Sequence, residues 1–174
     1  MFKQFKIPLT NCVYSSDSWL LVTAAKDGYI AIHNAQNQHQ PIKMLELEFP
    51  PDFVTLAFEP MNWVFASIGN NGSVANIWDA YTFNKSNQIA VKGHLIRDLT
   101  FVPDKAQLII LTVDCTMRFY DIEKKGGELL REVTQCHRGG ITSISYSNNG
   151  EYFMSGGVDH MVKLWDADVN TQAG

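Results

Sequence analysis

The sequence predicts an all-β chain in which one small antiparallel sheet is copied four times along 174 residues. An aromatic or imidazole residue followed by Asp or Asn recurs at Trp165-Asp166, Tyr120-Asp121, Trp78-Asp79 and His33-Asn34, at intervals of 45, 42 and 45 residues. Each pair closes a short apolar run, at 30–32, 74–77, 117–119 and 162–164. A turn acid stands six residues ahead of it at Asp27, Asp114 and Asp159; in the second unit Asn71 stands seven ahead of Trp78, which implies a residue of slack or a bulge. A fixed period of this length along a whole chain marks a stacked-repeat architecture, where each unit buries its apolar face against its neighbours.

The clearest unit is the last. Apolar runs at 141–146, 152–155 and 161–165 are separated by polar turns at 147–150 and 156–160, which is the sequence form of one propeller blade. From the N-terminus, residues 2–7 alternate apolar and polar side chains and Pro8 ends the run, as in an edge strand. The first unit has strands at 11–15, 19–23 and 29–32, a tight turn at Asp27-Gly28, a loop at 35–40 and an outer strand at 42–49 with one wet face. The second has strands at 53–58, 63–67 and 73–78, a turn at 69–72, a loop at 80–86 and an outer strand at 88–92. The third has strands at 98–102, 107–111, 117–120 and 129–134, with a turn at 124–127. The units span about 8–49, 50–92, 93–134 and 135–170, and no linker or charge block divides the single domain they form.

Composition narrows the function classes. A net charge of −4 disfavours a nucleic-acid footprint, which needs a concentrated basic stripe. Cys12, Cys115 and Cys136 are odd in number and lack metal or redox spacing, which points to a reducing compartment. No apolar run approaches a membrane span, and the first ten residues are too short and polar for a signal peptide. A soluble cytoplasmic chain is expected, with no nucleic-acid or membrane partner.

The run Ser155–Asp166, SGGVDHMVKLWD, resembles a WD40 repeat, and the other units follow it in degraded form. The resemblance implies a WD40-type β-propeller with four blades present. WD40 propellers close with more blades than four, so it favours an arc of a larger propeller, with 2–7 finishing a preceding blade. A closed four-bladed ring, with 2–7 completing the last blade, is the alternative.

It also implies a structural hydrogen-bond chain in each blade, because the polar groups inside so small a sheet must pair with one another. The fourth unit has the full set: His137, Ser155, Asp159 and Trp165. The third keeps His94 and Asp114, with Ile110 at the hydroxyl position and Tyr120 for Trp; the second keeps Ser67 and Trp78, with Asn71 for the acid; the first keeps Thr23 and Asp27, with His33 for Trp.

Ser155, His137 and Asp159 are also the residue types of a nucleophilic triad, but the structural role accounts for all three. The five histidines show no metal spacing, and the glycine turns at 69–72 and 138–140 lack the strand-to-helix setting of a phosphate cradle. No catalytic residue, cofactor or metal is expected. Trp19 and Trp63, eight residues ahead of Asp27 and Asn71, are expected to pack within the blades.

Binding is then left to the loops on one face of the propeller, which a rigid scaffold holds in place. Candidate contact residues there are Lys26, Pro51, Asp52, Asn70, Arg97, Val113, Arg138 and Val158; Arg97 and Arg138 fall at matching places and could grip an acidic segment. The resemblance implies a non-catalytic scaffold that binds other proteins and is completed by further blades. The wording of the fourth unit and the Asn- and Gln-rich loops resemble large WD-repeat proteins of cilia and centrioles. The alternative is the substrate receptor of a ubiquitin ligase or other enzyme complex.

Overall fold

A computed structural model describes residues 8–37, 40–47, 55–59, 63–147 and 149–167. They form fifteen strands and one 3-10 turn, with no α-helix among the described residues. The first sheet is β1 (Leu9–Tyr14), β2 (Leu20–Ala25), β3 (Tyr29–Asn34) and β4 (Gln40–Glu46), and the second is β5 (Leu56–Phe58), β6 (Val64–Gly69), β7 (Val74–Asp79) and β8 (Lys85–Ala90). The third is β9 (Ile96–Phe101), β10 (Gln107–Thr112), β11 (Met117–Asp121) and β12 (Glu128–Val133). The fourth has three strands, β13 (Ile141–Tyr146), β14 (Tyr152–Gly157) and β15 (Val162–Asp166). Every pairing is antiparallel and joins strands consecutive in the chain.

The middle strands β6, β7, β10 and β11 are buried along almost their whole length, which is why they read as largely apolar runs. Three apolar clusters fill the seams. Val22, Ile30 and Ile32 meet Phe65 and Trp78 in the first seam. Ile68, Ile77 and Ile89 meet Phe101, Leu108 and Tyr120 in the second, and Ile109, Leu111 and Phe119 meet Phe153 and Trp165 in the third. In each seam the aromatic ending the later sheet's third strand is turned toward the preceding sheet. Phe65 and Trp78 stack at 6.1 Å, and Phe153 and Trp165 at 6.0 Å. Fully burying one such large side chain contributes about 1.5–3 kcal/mol, so the period seen in the sequence is the period of the seams.

The inner strands run side by side, β1 against β5, β5 against β9, and β9 against β13. A polar relay crosses all three seams. Asn11 Nδ2 donates to Thr55 Oγ1 at 3.2 Å, Thr55 Oγ1 donates to Asp98 Oδ1 at 3.4 Å, and the Ile144 amide donates to Asp98 Oδ2 at 3.2 Å. Burial pushes the Asp98 carboxyl above its usual range, against the pull of the Leu99 and Ile144 amides.

The series of sheets is unclosed. By strand register, Tyr152 and Met154 of β14 share a face with Val162 and Leu164 of β15, and this face is exposed, Val162 at 70%. At the other end Tyr14, Ile42 and Met44 are exposed on the first sheet.

Several expectations are corrected. Trp19 is 53% exposed and packs into no seam, because it lies in the turn before β2, where its amide caps onto Ser15 Oγ. Trp63 packs against the first cluster and stacks on Tyr81 at 4.7 Å. The expected loop at 80–86 is shorter, since β8 begins at Lys85, where Ser86 Oγ already donates to the Ile77 carbonyl. The expected strand at 2–7 and the residues around Pro51 and Asp52 lie outside the described residues.

Asn87 on β8 fastens the second sheet to the third. Its Nδ2 donates to the carbonyls of Ile122 and Lys124 at 2.8 and 2.7 Å, and its Oδ1 accepts from the Gly126 amide at 2.9 Å. Removing both ends of this clamp with Asn87→Ala is expected to cost about 1–3 kcal/mol. The measurement is the urea midpoint, which should fall at unchanged slope; an unchanged midpoint refutes the clamp.

Candidate functional site

The side-chain chain of the fourth sheet is continuous. Asp159 Oδ1 lies 2.9 Å from His137 Nδ1, and His137 Nε2 lies 2.8 Å from Ser155 Oγ. Trp165 Nε1 donates to the same Ser155 oxygen at 2.8 Å. With the His137 proton on Nδ1, every donor in the line meets an acceptor. The Arg138 amide at 3.0 Å leads the interactions that hold the Asp159 carboxyl down at about 2, with His137 and the Met161 amide adding to it. The Ser155 oxygen is sealed, with its residue 1% exposed and the Trp165 indole donating to it. This set therefore ties the sheet's turn to its strands and offers no nucleophile to a substrate.

The other sheets carry this line in pieces. Trp78 Nε1 donates to Ser67 Oγ at 2.9 Å, but Asn71 takes no part. The extra residue in that turn makes a 3-10 turn, Asn70–Gly72, in which Asn71 has φ +54° and an exposed side chain. Thr23 Oγ1 lies 3.2 Å from His33 Nε2, whereas Asp27 accepts from the Tyr29 amide of its own turn.

The third sheet uses different chemistry. His94 Nδ1 does lie 3.2 Å from Asp114 Oδ2, but Ile110 and Tyr120 are packed in the second seam and neither extends the line. Arg118, buried on β11, replaces them. It donates from Nη2 to Asp114 Oδ2 at 2.9 Å and from Nε to Glu132 Oε1 at 2.9 Å, and its Nη1 bonds Thr112 Oγ1. The Arg118 guanidinium holds the Asp114 carboxyl well below the usual carboxylate range. Sequence inspection missed Arg118 and Thr112; the available signal was a lone charge inside the otherwise apolar run Met117–Tyr120, four residues after a turn acid.

The turn tips form a matched set. The amides of Lys26, Val113 and Val158 donate to the carbonyls of Pro8, Leu95 and Gly140 at 3.1, 2.9 and 3.0 Å. Each tip is thus pinned to the segment leading into its sheet's inner strand. Lys26 is exposed, Val113 is 57% exposed and Val158 is 52% exposed. Leu95 beside Val113, and Met161 in the turn with Val158, are also exposed apolar residues that the sequence did not single out. Asn70 sits in the 3-10 turn, and Asp52 lies outside the described residues.

Arg97 and Arg138 are both exposed but do not occupy matching places. The ladders align Ile96 opposite Thr112 with Ile141 opposite Gly157, so Arg97 on the β9 bulge corresponds to Thr142, not to Arg138. The third sheet reaches its inner strand by a shorter path from His94 than the fourth does from His137, which shifts the register.

Residues 127–166 match the family model described as "WD domain, G-beta repeat". That interval runs from β12, the outer strand of one sheet, through β15 of the next. The fourth unit is a WD40 repeat. Around it, the all-β array of four antiparallel sheets, unclosed, is that of WD40-type propeller blades. WD40 repeats mediate contacts between proteins, and this is the coarse role the repeat brings.

The chain is also similar, over 59–92% of its length, to several longer proteins. It is 22% identical over 161 residues to "Cilia- and flagella-associated protein 52" of Mus musculus, covering 92% of this chain and 25% of that protein. It is 30% identical over 103 residues to "WD repeat and SOCS box-containing protein 1" of Homo sapiens, covering 59% of this chain and 24% of that protein. It is 23% identical over 154 residues to "Transducin beta-like protein 3" of Bos taurus, covering 87% and 19%. The chain thus spans about a quarter or less of the length of the relatives it matches. No helix among the described residues is long and apolar enough to cross a membrane.

Proposed function

We propose that the chain is a non-catalytic section of a WD-repeat scaffold that holds a partner protein on the rim formed by its turn tips, within a cytoskeletal or ciliary assembly. The observation that carries this is the pinned and exposed tip set. Val113 and Val158 stand out from adjacent sheets on identical backbone anchors, beside Leu95 and Met161. Apolar side chains presented on a fixed scaffold are what a contact surface needs at its centre, and Lys26, Arg97 and Arg138 supply a basic surround. The complementary partner is a segment with apolar anchors and flanking acids. The likeness to a cilia- and flagella-associated protein supports the setting. The exposed faces at both ends of the series are where further blades complete the propeller.

Affinity capture with the chain and with a Val113→Glu, Val158→Glu double variant tests the rim. Partners captured by the parent are expected to be lost by the variant, whose unfolding midpoint should not change. Retention of every partner rejects the rim. The second possibility, a substrate receptor in a ubiquitin ligase or another enzyme complex, is favoured by the SOCS-box relative. It predicts that Arg97→Glu with Arg138→Glu abolishes capture of an acidic or phosphorylated peptide.

A further inference from the structure

The seam between the third and fourth sheets opens at its other end, away from Asp159 and Val158, into a groove of about 230 Å³. Val102 and Leu130 form an apolar wall, and Lys105, Gln107, Arg131 and Tyr146 bring polar groups to it from both sheets. Arg131 is the centre. Its guanidinium carbon stands 3.7 Å from the centroid of the Phe119 ring, which fixes the head in place. Among the described residues no carboxylate is in salt-bridge range of it, unlike Arg118 one strand away, which has two. Burial pushes the Arg131 guanidinium below its usual pKa, as expected of a cation that has lost water without gaining a counter-charge. Burial also pushes the neighbouring Tyr146 hydroxyl up to about 12, so it keeps its proton and remains a donor.

We propose that this groove is a receptor for a peptide carboxylate flanked by an apolar side chain. The planar guanidinium presents a two-pronged donor that matches a carboxylate, held in position by the ring beneath it. The Tyr146 hydroxyl and the Gln107 amide can complete the oxygen's hydrogen bonds, and the Val102–Leu130 wall takes the adjacent side chain. The volume suits a single residue, so the groove is an anchor for the C-terminal residue of a partner segment. It lies at the opposite end of the sheets from the rim, and its occupation does not depend on the rim's partner.

The test is a nuclear magnetic resonance titration of the whole 174-residue chain. The probes are N-acetyl-leucine, its uncharged analogue N-acetyl-leucinamide, and inorganic phosphate. Ligands of this size bind at about 1–10 mM. N-acetyl-leucine is expected to move the Arg131 Nε–H signal and the Tyr146 ring signals saturably in that range, and the amide analogue to bind at least tenfold more weakly. Arg131→Met, which keeps an unbranched side chain but removes the guanidinium from Phe119, should abolish the response while signals from the first two sheets stay in place; Arg131→Lys should restore part of it. Equal responses to acid and amide, no saturable response, or a response to phosphate without one to N-acetyl-leucine would each overturn the proposal.

Discussion

Gly157→Ala is expected to be among the most damaging single substitutions in the chain, destabilising it by about 3–5 kcal/mol. A β-carbon there would collide with the Nδ1 and Cγ atoms of His137 and the Oδ1 atom of Asp159. The imidazole has nowhere to retreat, since its other nitrogen is held by Ser155 and the residue is buried. Pushing it out strands the Ser155 hydroxyl, and a buried polar group without its partner costs about 1–3 kcal/mol. The steric origin gives a sharper expectation than the size. In a His137→Ala background the same Gly157→Ala change should cost markedly less, because both contacts with the imidazole are gone and only that with Asp159 Oδ1 remains. Equal effects in both backgrounds, read from urea midpoints, would show that the collision with His137 is not the cause.

The second large effect is in the third sheet. Asp114→Ala leaves Arg118 buried with only Glu132 as a carboxylate partner. Breaking a fully buried ion pair costs about 3–5 kcal/mol; with Asp114 one-third exposed, about 2–3 kcal/mol is expected. Adding Arg118→Met should recover part of the loss, because an apolar side chain needs no partner there. A double variant less stable than Asp114→Ala alone would contradict this account.

The pH dependence follows with a definite sign. Asp114 and Asp159 both have folded carboxyls depressed below the ordinary 3.8, Asp159 to about 2. Their contribution is present above pH 4 and is lost as pH falls through the folded values, because the unfolded chain takes up protons first. Melting temperature should drop between pH 4 and pH 2, and less steeply in Asp114→Asn. Asp98 shifts the other way, so its ionisation opposes stability as pH rises past 3.8, where the curve should gain little.

The architecture was legible because seam burial imposes it: Trp78, Tyr120 and Trp165 must each reach the preceding sheet, and that demand repeats along the chain. The fourth unit's polar line was legible for the same reason, since its residue types are complete. The third unit's was not. Ile110 and Tyr120 read as losses from a shared pattern, while the replacement by Thr112, Asp114 and Arg118 depends on β11 aiming Arg118 toward the turn, which spacing does not reveal. Asn71 and Arg97 failed through small changes in segment length. An extra residue turned Asn71 outward, and a shorter path from His94 put Arg97 on a bulge instead of beside Arg138. Trp19 misled because its size suggests burial, while its place depends on which side of β2 the chain turns.

The relay from Asn11 through Thr55 and Asp98 to the Ile144 amide bears on how the array comes apart. The fourth sheet cannot peel from the third without giving up both the apolar seam and the Ile144 amide's bond to Asp98, so the two are expected to open together as one cooperative block. Amide exchange at Ile144 should then match that of the third sheet's central strands, although β13 borders the open end. The least divisible piece of this chain would be a pair of units.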